Sequence, residues 1–240
     1  MNISEIVSDS IRYPSSDWGK VLILGVIFVA CILIVPIFLV YGYLFRIIKA
    51  TLVGLDELPE FDKIGDMFID GLKIFVISIA YAIPVWIITA IIGLITGPGI
   101  NTSTSIGLNP MMFWGLIAAN LIAIIIALII GLIEIIAIVN MAYYDGELGA
   151  AFRFSEILEH IARIGWGKYI ATYIIVAIIA FIGFLIGILT LFILIGIILL
   201  PLIIAPYIVM FATRAIALLF AYTGEVEAVE KRPSEEAQIE

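Results

Sequence analysis

The sequence predicts an all-α fold: a polytopic bundle of five spanning helices with two or three interfacial amphipathic helices. Three observations carry this. Residues 74–133 contain no Asp, Glu, Lys or Arg, and neither do residues 169–213. The chain is 64% hydrophobic, well above the roughly 45–50% of soluble domains. A bilayer needs about 20 apolar residues per helical crossing, and both charge-free stretches exceed that.

The expected spans run over about 20–48, 72–96, 110–142, 168–188 and 190–222, all within one domain of residues 1–222. Asn109 and Pro110 open the third span as N-cap and first helical residue, where the missing proline N–H costs nothing. As one helix, residues 169–213 would be about 67 Å long. The chain must therefore turn back, near Gly187 to Thr190 or near Ile195-Gly196. Pro201 and Pro206 should distort the fifth helix.

With five spans, segments 43–73, 143–168 and 214–240 share one face. They hold ten of the twelve Lys and Arg residues. The positive-inside rule makes that face cytoplasmic, so a multi-pass protein of the cell membrane is expected, with 49–72, 143–167 and the C-terminus in the cytoplasm. The acidic tail 223–240 is expected to be disordered. Trp18-Gly19-Lys20 and Trp166-Gly167-Lys168 both follow amphipathic stretches and precede apolar runs. Such an internal repeat would start the first span on the cytoplasmic side, and would then require a sixth crossing or a re-entrant first segment.

Two polar segments carry amphipathic patterns. Asp62, Asp66 and Asp70 recur at i, i+4 and i+8, one face of a helix started by Pro59. They form a candidate partner or cation face. Hard cations take several oxygens, but no glycine-turn loop or histidine completes a site. Residues 147–164 form the second pattern, with Leu148, Ala151, Phe152, Ser155, Leu158 and Ala162 on one side and Phe154, Ile157 and Ile161 widening it. Glu156–His160 and Glu159–Arg163 are i,i+4 pairs, and His160 is the only histidine.

Several classes are excluded. One cysteine, Cys31, leaves no internal disulfide, and the apolar run passes beyond it, unlike a lipoprotein cleavage segment. The net charge of −8 argues against nucleic acid as a partner. Asp145-Gly146 lacks the Ala-Arg that follows it in CDP-alcohol phosphatidyltransferases. No catalytic residue, metal site or cofactor is identified.

Two charges fall inside apolar helices, Glu134 in the third span and Arg214 in the fifth. Each lies eight residues before its helix end, so both are expected about 12 Å deep. Intramembrane ions normally pair inside the bundle, which makes Glu134–Arg214 the expected ion pair. Asn120, Ala127 and Glu134 recur every seven residues and mark an inward polar stripe, with Asn140 further along. Ala123 and Gly131 flank it with small residues.

Gly42-Tyr43-Leu44-Phe45-Arg46, Leu58-Pro59-Glu60-Phe61-Asp62, the run from Gly65 to Lys73 and Ala150-Ala151-Phe152-Arg153-Phe154 resemble a known family. It is the prokaryotic, largely archaeal membrane family called domain of unknown function four thousand and thirteen. The resemblance covers about residues 12–222 and implies a multi-spanning protein. It implies no activity. The expectation is a non-enzymatic integral membrane protein with a structural or partner-binding role, the partners being the bilayer and a membrane or cytoplasmic protein. The alternative is a small-solute or proton-coupled permease using Glu134.

Overall fold

The computed structural model describes residues 2–100, 110–192 and 195–236. Among them the chain is helical throughout: α1 Ile3–Arg12, α2 Trp18–Ala30, α3 Pro36–Leu52, α4 Ile64–Ile100, α5 Pro110–Tyr143, α6 Phe154–Ile164, α7 Trp166–Leu191, α8 Gly196–Leu199 and α9 Ala205–Glu236. Four stretches are long and apolar enough to cross a bilayer: Ile64–Leu94, Ile117–Tyr143, Trp166–Leu191 and Gly196–Ala221. A fifth is counted if Ile3–Ser16 and Trp18–Leu33, bent by 83°, form one span. Only 11–22% of each apolar window is buried, so these helices turn most of their apolar surface outward, as lipid-facing helices do.

The expected single domain divides into two compact units. Unit 1 is Met1–Phe75 with Ile136–Glu240, and unit 2 is Val76–Ile135. Unit 2 consists of the inner parts of α4 and α5. The uncharged loop between those helices, with its Asn101-Thr102-Ser103 sequon, lies largely outside the described residues.

In unit 1 the expected first span, 20–48, is broken. α2 ends at Ala30, a 3₁₀ turn covers Cys31–Leu33, and α3 starts at Pro36. Pro36 ends α2's register because it supplies no N–H to a continuing helix. The reversal is centred on Ile34 at φ 66°, ψ −52°, with Val35 N–H donating to Leu33 O at 2.7 Å. This is a γ-turn of the rare positive-φ kind. The Ile34, Ile37 and Phe38 amides also donate within the turn, so its backbone needs no water.

α2 and α3 therefore form a hairpin that enters and leaves at one end of the unit. Lys20 Nζ donates to Leu58 O at 2.7 Å and Tyr43 Oη to Pro59 O at 3.1 Å. Three glycines let the backbones touch. A Cβ on Gly25 would lie 1.9 Å from Leu202 O, one on Gly42 1.8 Å from Met67 O, and one on Gly71 1.8 Å from Phe38 O. The core between them includes Val21, Leu24, Val40, Tyr43, Ile47, Met67 and Met210.

Pro201 distorts the last span as expected. Leu200–Ile204 forms a π-helical turn, and Gly25 packs against it. α7 continues through Gly187–Thr190 to Leu191, and α8 starts at Gly196, beside the alternative turn Ile195-Gly196. α9 continues to Glu236 where a disordered tail was expected. Extending an existing helix is far easier than nucleating one, and the five Glu residues of 222–236 favour helix.

Candidate functional site

The described residues hold two distinct charged places, one at the polar end of unit 1 and one inside unit 2. The first is centred on Arg214, whose side chain is 2% exposed. Its Nε donates to Asp9 Oδ1 at 3.0 Å and its Nη2 to Asp56 Oδ1 at 2.6 Å. Nη1 donates to Leu55 O at 2.6 Å and Thr51 Oγ1 at 3.2 Å. The guanidinium also lies 4.4 Å from the Tyr13 ring. One residue of α9 thus ties α1, the end of α3 and the loop that follows it. The planar fork of Arg suits this many-sided contact; a point-charge ammonium does not.

This corrects the expected Glu134–Arg214 pair. The sequence reading placed Arg214 at membrane depth, but its partners are the polar segments themselves. Asp9 was missed because five equal spans put residues 1–17 on the opposite face. The repeated Trp-Gly-Lys was the signal that could have found it. Each copy opens an apolar helix, α2 or α7, directly after the amphipathic helix α1 or α6.

The rest of the polar end is built from similar ties. Arg46 Nη1 meets Glu60 O, Asp62 O and Asp62 Oδ1 at 2.8–3.0 Å, and Nη2 meets Lys63 O at 3.1 Å. Lys49 Nζ donates to Asp145 at 3.0 Å and Lys73 Nζ to Asp70 at 3.2 Å. The Lys49 contact lowers the Asp145 carboxyl from its ordinary value.

Asp62, Asp66 and Asp70 do not share one helix face. α4 begins only at Ile64, so Asp62 lies in the loop against Arg46, Asp66 is exposed, and Asp70 turns to Lys73. Among the described residues no three His, Cys, Asp or Glu side chains gather as a metal site.

The expected 147–164 helix is a 3₁₀ turn, Leu148–Phe152, followed by α6. The break at Arg153 shifts the helical phase, so the buried face is Ile157, Ile161 and Ile164, while Leu158 is exposed. This face packs on protein, since α6 lies against α9 and α7. The ring of His160 sits 4.6 Å from Phe220. Glu156 does not pair with His160; it accepts the Tyr144 hydroxyl and lies 3.7 Å from Arg153. Glu159–Arg163 forms at 3.6 Å. Asn140 is buried and donates to Ala150 O at 3.0 Å, tying the end of α5 to the turn that follows.

Inside unit 2, Glu134 Oε1 accepts the Ser78 hydroxyl at 2.6 Å, joining α5 to α4. Both side chains are half-buried. Tyr81, one turn along α4 from Ser78, lies within electrostatic reach of the carboxylate. Residues 76–135 contain no other charged residue. Asn120 is exposed and Ala123 is the buried position.

The fold and these sites define a multi-pass, all-α membrane protein. The chain belongs to the family described as protein of unknown function DUF4013, whose sequence model matches residues 23–192. No curated protein and no solved structure matches it.

Proposed function

We propose that this is a non-enzymatic integral membrane protein that binds a basic partner through an acidic surface at its polar end. One observation carries the reading: in four ion pairs of that end the cation is inside and the acid outside, while Lys73–Asp70 and Arg153–Glu156 run the other way. Side-chain exposure is 14% against 76% for Lys20–Glu60, 15% against 63% for Arg46–Asp62, 31% against 99% for Lys49–Asp145 and 2% against 86% for Arg214–Asp56. The bases are spent on carbonyls and packing, while the carboxylates face out. The Lys and Arg residues of unit 1's polar segments favour the cytoplasmic side for this end.

A short lysine-rich peptide tests it. The reconstituted wild type should bind the peptide in a salt-sensitive manner. The Glu60→Gln, Asp62→Asn, Asp66→Asn variant should bind at least about tenfold less tightly, roughly 1.4 kcal/mol. Equal binding by both proteins would defeat the reading.

A second reading, a small proton- or cation-coupled permease, is supported by Glu134. Its bonded partner is a neutral hydroxyl, and an uncompensated carboxylate in a span marks an ion pathway by default. Glu134→Gln should then abolish flux in liposomes while leaving the thermal melt unchanged; undiminished flux would sink this reading.

A further inference from the structure

We propose that Glu134, with Ser78 and Tyr81, forms a site in the spanning part of unit 2 that takes up a single monovalent cation, a proton or an alkali ion. The inference rests on the permease reading and names its cargo.

The argument is one of charge balance. Residues 76–135 carry one ionisable carboxylate and no Lys, Arg or His. Glu134 makes one hydrogen bond, to Ser78, and no ion pair among the described residues. Arg214, the span cation expected to neutralise it, is saturated by Asp9, Asp56, Thr51 and Leu55. An ionised carboxylate taken from water into a low-dielectric surround is strongly disfavoured unless something neutralises it. The surround here is apolar: Ile77 and Tyr81, on either side of Ser78 along α4, are buried, and Ile133 and Ile135 flank Glu134 in the chain. One negative charge is neutralised by one positive charge, so a divalent ion would overshoot.

The ligand chemistry agrees. The carboxylate and the Ser78 hydroxyl supply hard oxygen atoms, which suit a proton or an alkali ion and not a soft metal. Tyr81 is the only other titratable residue in unit 2, so nothing else there competes for the charge. The hydroxyl also answers the question of position. It holds Oε1 toward α4, so the carboxylate stays between the helices and does not swing out to lipid.

Dicyclohexylcarbodiimide provides the test, since it is apolar and adds to protonated carboxyl groups reached from the membrane. The full chain is reconstituted in phosphatidylcholine vesicles and mapped by peptide mass spectrometry. One reagent molecule should add at Glu134, far faster than at the carboxylates of the polar segments. Loss of the adduct with rising pH, alike in sodium and choline chloride, identifies the proton. An adduct suppressed at least about fivefold by sodium over choline, roughly 1 kcal/mol of competition, identifies the alkali ion.

Ser78→Ala keeps the test tied to geometry. Removing the hydroxyl that holds Oε1 should change the labelling rate at a fixed pH at least about threefold, or weaken sodium protection by a similar factor. Absence of an adduct at Glu134 in both salts and at every pH overturns the proposal. So does a labelling profile that Ser78→Ala leaves untouched. Labelling measures occupancy and not transport: an occupied site without flux defeats the permease reading alone, while an unlabelled Glu134 defeats the site.

Discussion

Arg214 is worth more for what it joins than for its charge. Its guanidinium donates to four acceptors, and its removal would strand Asp9, Asp56 and the Leu55 carbonyl. Truncating one partner of a buried, hydrogen-bonded pair costs about 3–5 kcal/mol. Asp56 is 86% exposed and Asp9 38% exposed, so Arg214→Ala belongs near the lower end, at roughly 3 kcal/mol. Arg214→Lys should recover only part of this, because an ammonium cannot reach Thr51, Leu55 and both carboxylates at once. Thermal melts in detergent check both; an unaltered melt for Arg214→Ala would contradict the clasp. Asp145 gives a contrast at the same scale. Its lowered carboxyl means that its pairing stabilises the fold above its ordinary value of 3.8 and fades as pH falls through the folded value. Asp145 is fully exposed, so Asp145→Asn should leave the melt at neutral pH almost unchanged. The intramembrane Glu134 was legible as a residue, since no periodicity is needed to see a lone acid in sixty apolar residues. The partners of Arg214 were not legible, because they lie 158 to 205 positions away in the chain.

The α2–α3 hairpin shows how elements escape a hydropathy reading. Residues 21–45 are uncharged, so the run looks like one span of suitable length. The break comes from Pro36 and from a γ-turn that hydropathy does not register. A β-branched residue at positive φ is strained by about 1–3 kcal/mol. Ile34→Gly should relieve part of this and raise the melting temperature; a lower value would mean that the Ile34 side chain is needed at the tip. Close backbone approach makes a sharper test. Gly25→Ala, Gly42→Ala and Gly71→Ala each force a Cβ onto a neighbouring carbonyl and should cost about 1–3 kcal/mol or more. Gly65→Ala and Gly93→Ala meet nothing within 4 Å and should be neutral or stabilising. The long spans α4, α5 and α7 were legible in outline because charge-free length alone decides them. The face of α6 was legible in part: Ile157 and Ile161 were on the expected apolar side, while the centre of that side shifted because the break at Arg153 resets a phase counted from Leu148.

At the scale of the molecule, the polar segments of unit 1 belong to one end. Asp9, Asp56 and Arg214 meet there, as do Lys49 with Asp145 and Lys20 with Glu60. The N-terminal segment and the loop after α3 therefore meet around Arg214. With Cys31 replaced by Ala, single cysteines at Ser8 and Glu57 should react with an impermeant maleimide from the same side of a vesicle. Labelling from opposite sides would restore a single crossing between them. The positive-inside pattern already pointed to a common face for ten basic residues. Counted from five equal spans, Arg12 and Lys20 fall on the opposite face, and the labelling tests that placement.

The account turns on which acid answers Arg214, and a double-mutant cycle measures this most directly. Arg214→Gln is combined in turn with Asp56→Asn, Asp9→Asn and Glu134→Gln, and each coupling is read from thermal unfolding. The account predicts a coupling of about 1 kcal/mol or more with Asp56 and Asp9, and additive effects with Glu134. Coupling to Glu134 with additivity at Asp9 and Asp56 would contradict it, and would return both charges to a single intramembrane pair.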